Sequence, residues 1–159
     1  MTSDDERLEH ALGLAYRLLN ARDRTVSEMQ RQLERKGVDA STREQAIRTL
    51  GELGYLDDER FARTFIADKR DLERWGEDRI RLGLLARGID RDLVQTQLDQ
   101  IRGSDEETEL DRALSLLRRR FPAPPRERRE RDRALGVLLR KGYESELALD
   151  ALTAYARGD

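Results

Sequence analysis

Few residues in this chain have both the type and the spacing that chemistry requires. Asp57 and Asp58 are adjacent carboxylates, a pair that invites metal binding or general acid–base work. Neighbours on a helix point about 100 degrees apart, however, and no histidine or third carboxylate at a ligand spacing accompanies them. Ahead of the apolar Phe61 they suit a helix start instead, Asp57 as the cap and Asp58 in the first turn, where acids complement the positive end of the helix. The single histidine, His10, has no partner for nucleophilic or general-base work. No glycine-rich loop could cradle a phosphate, and without cysteine neither thiolate chemistry nor disulfides enter. The residues point away from an enzyme and call for no metal and no cofactor.

What remains is charge. Arg118, Arg119, Arg120, Arg126, Arg128, Arg129, Arg131, Arg133, Arg140 and Lys141 crowd into one stretch. From Arg112 to Lys141 there are 11 basic residues against 3 acidic ones, although the whole chain carries a net charge of −2. The remainder is therefore strongly acidic. Such polarity suits a protein that meets an anionic surface with one part and keeps its other parts from sticking there. Glu127, Glu130 and Asp132 interleave the run and allow local ion pairs, but a basic excess survives that pairing.

The elements that must position this charge follow from periodicity. With 40% of its 159 residues charged and 37% hydrophobic, the chain has little apolar material for a globular core. Its apolar residues nevertheless recur at helical spacing, in a pattern that repeats. Met29, Leu33, Gly37 and Val38 match Ile80, Leu84, Gly88 and Ile89, and both match Ala134, Leu138, Gly142 and Tyr143. Apolar residues eight and four positions before a glycine share one helix face, and the glycine can end the helix in the left-handed conformation. Ser27 with Gln30 reads as a capping box for the first of these helices, and Gly76 as the cap of the second, with Trp75 and Ile80 stapled across it.

Another amphipathic segment precedes each of these helices and a third follows it, while strand signals are absent. The expected fold is all-α: three tandem three-helix, helix-turn-helix-like repeats over residues 8–56, 57–102 and 107–157, forming an elongated, curved molecule. Neighbouring units are expected to share a core. The weakest join is expected at Arg102 to Glu107, which includes Gly103, Ser104 and Asp105, and Pro122 to Pro125 breaks helix inside the third unit. Gly51, Gly83 and Gly136 fall inside helical patterns and suggest close helix crossings. No apolar run reaches membrane-spanning length, and the acidic, polar start lacks the features of a secretory signal, so the expected location is the cytoplasm.

A helix-turn-helix reading raises DNA recognition, and the third helices oppose it. After Gly88 and Gly142 they carry Asp90, Asp92, Asp99, Glu144, Glu146 and Asp150, which phosphates would repel from a major groove. Two alternatives stay open on these residues: a DNA-binding protein that uses the basic third repeat, and a helical adaptor for another protein.

The run Gly54-Tyr55-Leu56-Asp57-Asp58-Glu59-Arg60-Phe61-Ala62 is followed by Gly76-Glu-Asp-Arg79-Ile80 and by Leu84-Leu-Ala-Arg87-Gly88-Ile89. In these motifs, and from about Ala11 to Ala156, the chain resembles the RecX family of regulatory proteins. In the third unit Arg140-Lys141-Gly142-Tyr143 fits, while the proline stretch departs from the pattern. The resemblance implies tandem three-helix repeats and a cytoplasmic negative regulator of the RecA recombinase, working as a monomer without a membrane. It implies binding in the groove of the RecA filament on single-stranded DNA, with a weak direct contact to DNA, and inhibition of ATP hydrolysis, strand exchange and coprotease activity by limiting filament growth. On this reading the ten basic residues of the third repeat face the nucleoprotein filament. Gly54, Tyr55, Leu56, Asp57, Asp58, Phe61, Ala62, Gly76, Arg79, Ile80, Leu84 and Gly88 are structural.

Overall fold

The structure is a computed structural model that describes residues 3–104 and 107–158. Among the described residues there are nine helices and no strand: α1 (Asp4–Ala21), α2 (Val26–Arg35), α3 (Ala40–Glu52), α4 (Asp58–Asp71), α5 (Glu77–Ala86), α6 (Arg91–Ser104), α7 (Glu109–Arg120), α8 (Arg128–Lys141) and α9 (Ser145–Arg157). None is long and apolar enough to cross a membrane.

Most helices start where a side chain accepts from an otherwise unpaired amide. Ser3, Asp39, Asp57, Thr108 and Glu144 do this for α1, α3, α4, α7 and α9. The capping box of α2 lies two residues earlier than the Ser27–Gln30 pair predicts. Thr25 accepts from the Glu28 amide while Glu28 accepts from the Thr25 amide. Thr25 wins because its hydroxyl has a second partner, the Arg87 carbonyl, to which it donates at 2.7 Å. The helix crossing expected at three internal glycines holds at Gly83, where a Cβ would lie 2.9 Å from the Phe65 ring. Gly51 meets nothing within 4 Å, and Gly136 faces the flexible end of Arg140 on its own helix. Helix α6 runs through Gly103 to Ser104, so the join begins later than the sequence suggests; Asp105 lies outside the described residues.

The helices pack in threes around separate cores. Ala11, Ala15, Met29, Leu33, Ala46 and Leu50 centre the first, with Leu56 closing it. Ala62, Ile66, Ile80, Leu84, Val94 and Leu98 centre the second, and Ala113, Leu117, Ala134, Leu138, Ala151 and Tyr143 the third. This corrects the expectation of a core shared between neighbours. Fully buried alanines on each first helix, and on the third helices of units 1 and 3, let the trios close tightly enough to bury their own leucines. The units meet through polar contacts instead.

Those contacts repeat. Between units 1 and 2, the first turn of α2 meets the last turn of α5: Thr25 Oγ1 donates to the Arg87 carbonyl, the Val26 amide donates to Asp58 Oδ1 at 2.9 Å, and Ser27 lies on Gly88. Between units 2 and 3, the first turn of α5 meets the last turn of α8. The Gly76 amide donates to the Lys141 carbonyl at 2.7 Å, and the Asp78 amide to the Gly142 carbonyl at 3.2 Å. The Glu77 amide donates to Glu109 Oε2 at 3.2 Å, and Arg79 lies on Gly142. At both joints a carboxylate from the first helical residue of the next unit caps the opening amide of a central helix. A carbonyl-rich helix end also meets an amide-rich one, which is the favourable order for their dipoles.

Candidate functional site

The basic residues singled out in the third unit fall into two places. Arg118, Arg119 and Arg120 form the last turn of α7, where cations complement the carbonyl end, and all three side chains are exposed. After Phe121 and the proline stretch come Arg126 and then Arg128, Arg129, Arg131 and Arg133 along the first half of α8, again exposed. The prolines stop α7 and turn the chain, so both arginine groups flank one connection. Arg133 lies over the Phe121 ring at 6.0 Å, tying α8 to the end of α7.

Arg140 and Lys141 stand at the other end of α8, about 18 Å from Arg128 along the axis. There they serve the joint: Lys141 Nζ donates to the Glu73 carbonyl at 2.9 Å, and the Arg140 carbonyl accepts from Arg79 Nη1 at 3.2 Å. Among the described residues the interleaved Glu127, Glu130 and Asp132 form no ion pair with Arg119, Arg120, Arg126, Arg128, Arg129, Arg131 or Arg133. The local pairing that the sequence allows is absent for these seven arginines, although the three carboxylates still offset part of their charge. Sequence reading missed one further cation. Arg157, in the last turn of α9, lines a depression with Arg126, Arg131, Pro124 and Pro125. It stands alone in an otherwise acidic helix, and only the packing of α9 against α7 and α8 brings it to the others.

The motif residues occupy the first two cores and the joints. Leu56 is buried in the first core, and Gly54, with φ +82°, ends α3 so that Tyr55 turns back to donate to the Leu50 carbonyl. The Tyr55 ring stands edge-on to Tyr16 at 5.4 Å. Asp57 caps α4, as expected, and Phe61, Ala62, Ile80 and Leu84 pack in the second core. Asp58, Gly76, Arg79 and Gly88 are joint residues. Burial pushes the Asp58 carboxyl above its usual range, with the neighbouring charges of Asp57 and Glu28 adding to the effect against the Val26 hydrogen bond. Glu109 is raised by burial in the same way, although it also holds Arg112 at 3.2 Å, a guanidinium only 3% exposed.

Trp75 is engaged rather than free to stack on a base. Arg79 lies 4.0 Å and Lys69 4.7 Å from its ring, and the Phe65 ring meets it edge-on at 6.1 Å. Next to it Arg74 adopts φ +58°, and its carbonyl accepts from the Tyr143 hydroxyl at 3.0 Å across the joint. No cluster of His, Cys, Asp and Glu among the described residues could hold a metal ion. The arrangement offers charge and shape for binding, without an acid–base pair or a nucleophile set against a base.

Three family models match the chain in order. The first three-helix domain of RecX matches residues 11–50, the second 57–98 and the third 107–152. Regulatory protein RecX of Deinococcus radiodurans is 34% identical over 152 residues, covering 96% of this chain and 71% of that protein. The protein of the same name from Leptothrix cholodnii is 34% identical over 140 residues, covering 88% and 85%. The one from Mycobacterium avium is 31% identical over 156 residues, covering 96% and 88%. The crystal structure of RecX from Lactobacillus salivarius has the same fold, with a TM-score of 0.81 over 98% of this chain and 99% of that one at 18% identity.

Proposed function

The chain belongs to the RecX family, a family of regulatory proteins rather than enzymes, and on that premise we propose that it is a negative regulator of the RecA recombinase. It binds in the groove of the RecA filament on single-stranded DNA and limits filament growth, and so lowers ATP hydrolysis, strand exchange and coprotease activity. It works in the cytoplasm as a monomer.

The observation that carries this reading is the exposed, net-basic run of arginines in unit 3, set on a stack whose other two units are close to neutral. A nucleoprotein filament offers both an anionic strand and protein surfaces, and a stack with one basic and two near-neutral units can meet the two at once. Arg118, Arg119, Arg120, Arg126, Arg128, Arg129, Arg131 and Arg133 are assigned to the nucleoprotein side, and Arg140 and Lys141 to holding unit 3 at the angle that this requires. Bridging alone would stabilise a filament, so inhibition needs either preference for a state unable to hydrolyse or obstruction of the growing end. The three units, with boundaries at 8–56, 57–102 and 107–157, act as separate contact bodies.

The test is hydrolysis of ATP by the cognate RecA during filament growth on single-stranded DNA, with this protein far below the recombinase concentration. Inhibition at that ratio supports the reading and favours end blocking, whereas no inhibition at any ratio refutes it. Replacing Arg118, Arg119 and Arg120 together by Gln is expected to weaken filament binding and reduce its salt dependence. Unchanged affinity and salt slope would remove those three residues from the interface. Tight binding to bare DNA at physiological salt would favour a DNA-binding protein instead.

A further inference from the structure

Both joints use the same parts, and unit 1 carries a third set with nothing seated on it. The Arg87–Gly88 end of α5 receives the first turn of α2, and the Lys141–Gly142 end of α8 receives that of α5. The matching end of α2, at Lys36 and Gly37, meets no helix start of this chain among the described residues. Gly37 has φ +83°, close to the +82° of Gly88 and the +98° of Gly142, yet nothing lies within 4 Å of where a side chain on it would begin. An open depression lies there, with Arg7, His10, Lys36 and Asp39 around the glycine.

One part has been exchanged. Asp58 stands thirty residues before Gly88, and the residue thirty before Gly37 is Arg7. The alanines four residues further on, Ala62 and Ala11, are both fully buried, so the two positions are equivalent in the fold. Where units 2 and 3 offer a carboxylate to an incoming amide, unit 1 offers a guanidinium, exposed and in no ion pair among the described residues. Asp39 does not cancel the change, because acids at the same place, Asp90 and Glu144, cap the third helices of units 2 and 3 as well. A bare helix start would meet Arg7 as a like charge. A helix with its own acidic first turn would present amides to the free carbonyls of α2 and carboxylates to Arg7.

We infer that this end of unit 1 is a docking site for the acidic first turn of a helix on the protein partner, with a small residue such as Ser or Gly lying on Gly37. The internal joints define the shape that such a surface accepts, and Arg7 defines the charge. A second copy stacked head to tail is a poor occupant. The helix start left over at the other end of the stack is that of α8, and its Arg128 and Arg129 would face Arg7 and Lys36. Exchange of the acid for Arg7 thus opposes head-to-tail addition of further copies.

The inference rests on the proposed function, which makes the RecA filament the protein partner. Binding of the labelled full chain to that filament on single-stranded DNA with ATP is compared for wild type, Arg7→Glu, Gly37→Asn and Arg48→Glu. Asn takes positive φ with little strain, so Gly37→Asn fills the depression while keeping the turn. Arg48→Glu makes the same charge change on the exposed face of α3, outside the depression. Arg7→Glu and Gly37→Asn are each expected to weaken binding about tenfold and Arg48→Glu less than about twofold. A photo-crosslinker at position 36 is expected to reach a recombinase helix that starts with Asp or Glu. Equal losses for Arg7→Glu and Arg48→Glu, full affinity for Gly37→Asn, or crosslinks to DNA or to a second copy would overturn the inference alone. Failure of the wild type to bind the filament would overturn the proposed function and this site together.

Discussion

Replacing Gly142 by Ala separates the joint from the units that it connects, because Gly37 provides a matched control. Alanine at φ +98° strains its Cβ by about 1–2 kcal/mol, and alanine at Gly37, with φ +83°, costs the same. At Gly37 that is the whole cost, since the space around it is open. At Gly142 the methyl also overlaps Arg79, lying 2.6 Å from its backbone nitrogen, and a helix backbone cannot swing aside as the tip of a side chain can. The first turn of α5 must withdraw. Three cross-joint hydrogen bonds go with it: Gly76 to the Lys141 carbonyl at 2.7 Å, Asp78 to the Gly142 carbonyl at 3.2 Å, and Arg79 Nη1 to the Arg140 carbonyl at 3.2 Å. At about 1 kcal/mol each they add about 3 kcal/mol, for a total of about 4–5 kcal/mol at Gly142 against about 1–2 kcal/mol at Gly37. Amide hydrogen exchange reads this directly. The Gly76 and Asp78 amides, whose acceptors lie in the other unit, are expected to exchange about a hundredfold faster in Gly142→Ala, while amides inside α8 keep their protection. If both substitutions cost the same, or if Gly76 and Asp78 stay protected, the joint is not held by these contacts.

Separate cores predict separable unfolding. Leu138→Ala, in the third core, is expected to cost about 2–5 kcal/mol and to part the helix transition followed by circular dichroism from the fluorescence transition of Trp75, which reports on unit 2; coincident transitions would mean that the units melt as one. Asp58 carries a pH signature. Its folded pKa is raised by burial, so the stability that it contributes is present below the ordinary carboxylate range and is lost as pH rises through the raised value. The stability of the wild type relative to Asp58→Asn is therefore expected to fall as pH rises from the ordinary carboxylate range, and a flat or rising difference in denaturant titrations would refute the burial argument.

The order and kind of the helices were legible in the sequence because both are local. Apolar residues eight and four before Gly37, Gly88 and Gly142 mark a buried face and its end, and Asp57 marks a cap, whatever lies further along the chain. Charge was legible too, since the arginine run needs no fold to be counted. Local rules failed where two candidates competed for one role: Thr25 displaces Ser27 as the cap of α2 because its hydroxyl also reaches Arg87, 62 residues away.

Everything about how the units meet was decided by tertiary structure. Asp58 reads as an ordinary first-turn acid and Glu109 carries no signal of its own, and only their placement against Val26 and Glu77 makes them caps for another unit's helix. Lys141 reads as one more phosphate-seeking cation until its ammonium is found on the Glu73 carbonyl, and Arg157 as a stray charge until α9 carries it to Arg126 and Arg131. The physical reason is common to all of them. A helix start and its buried face depend on neighbours within a turn or two, which the sequence displays, whereas a joint depends on which surfaces three separately closed cores leave exposed to one another.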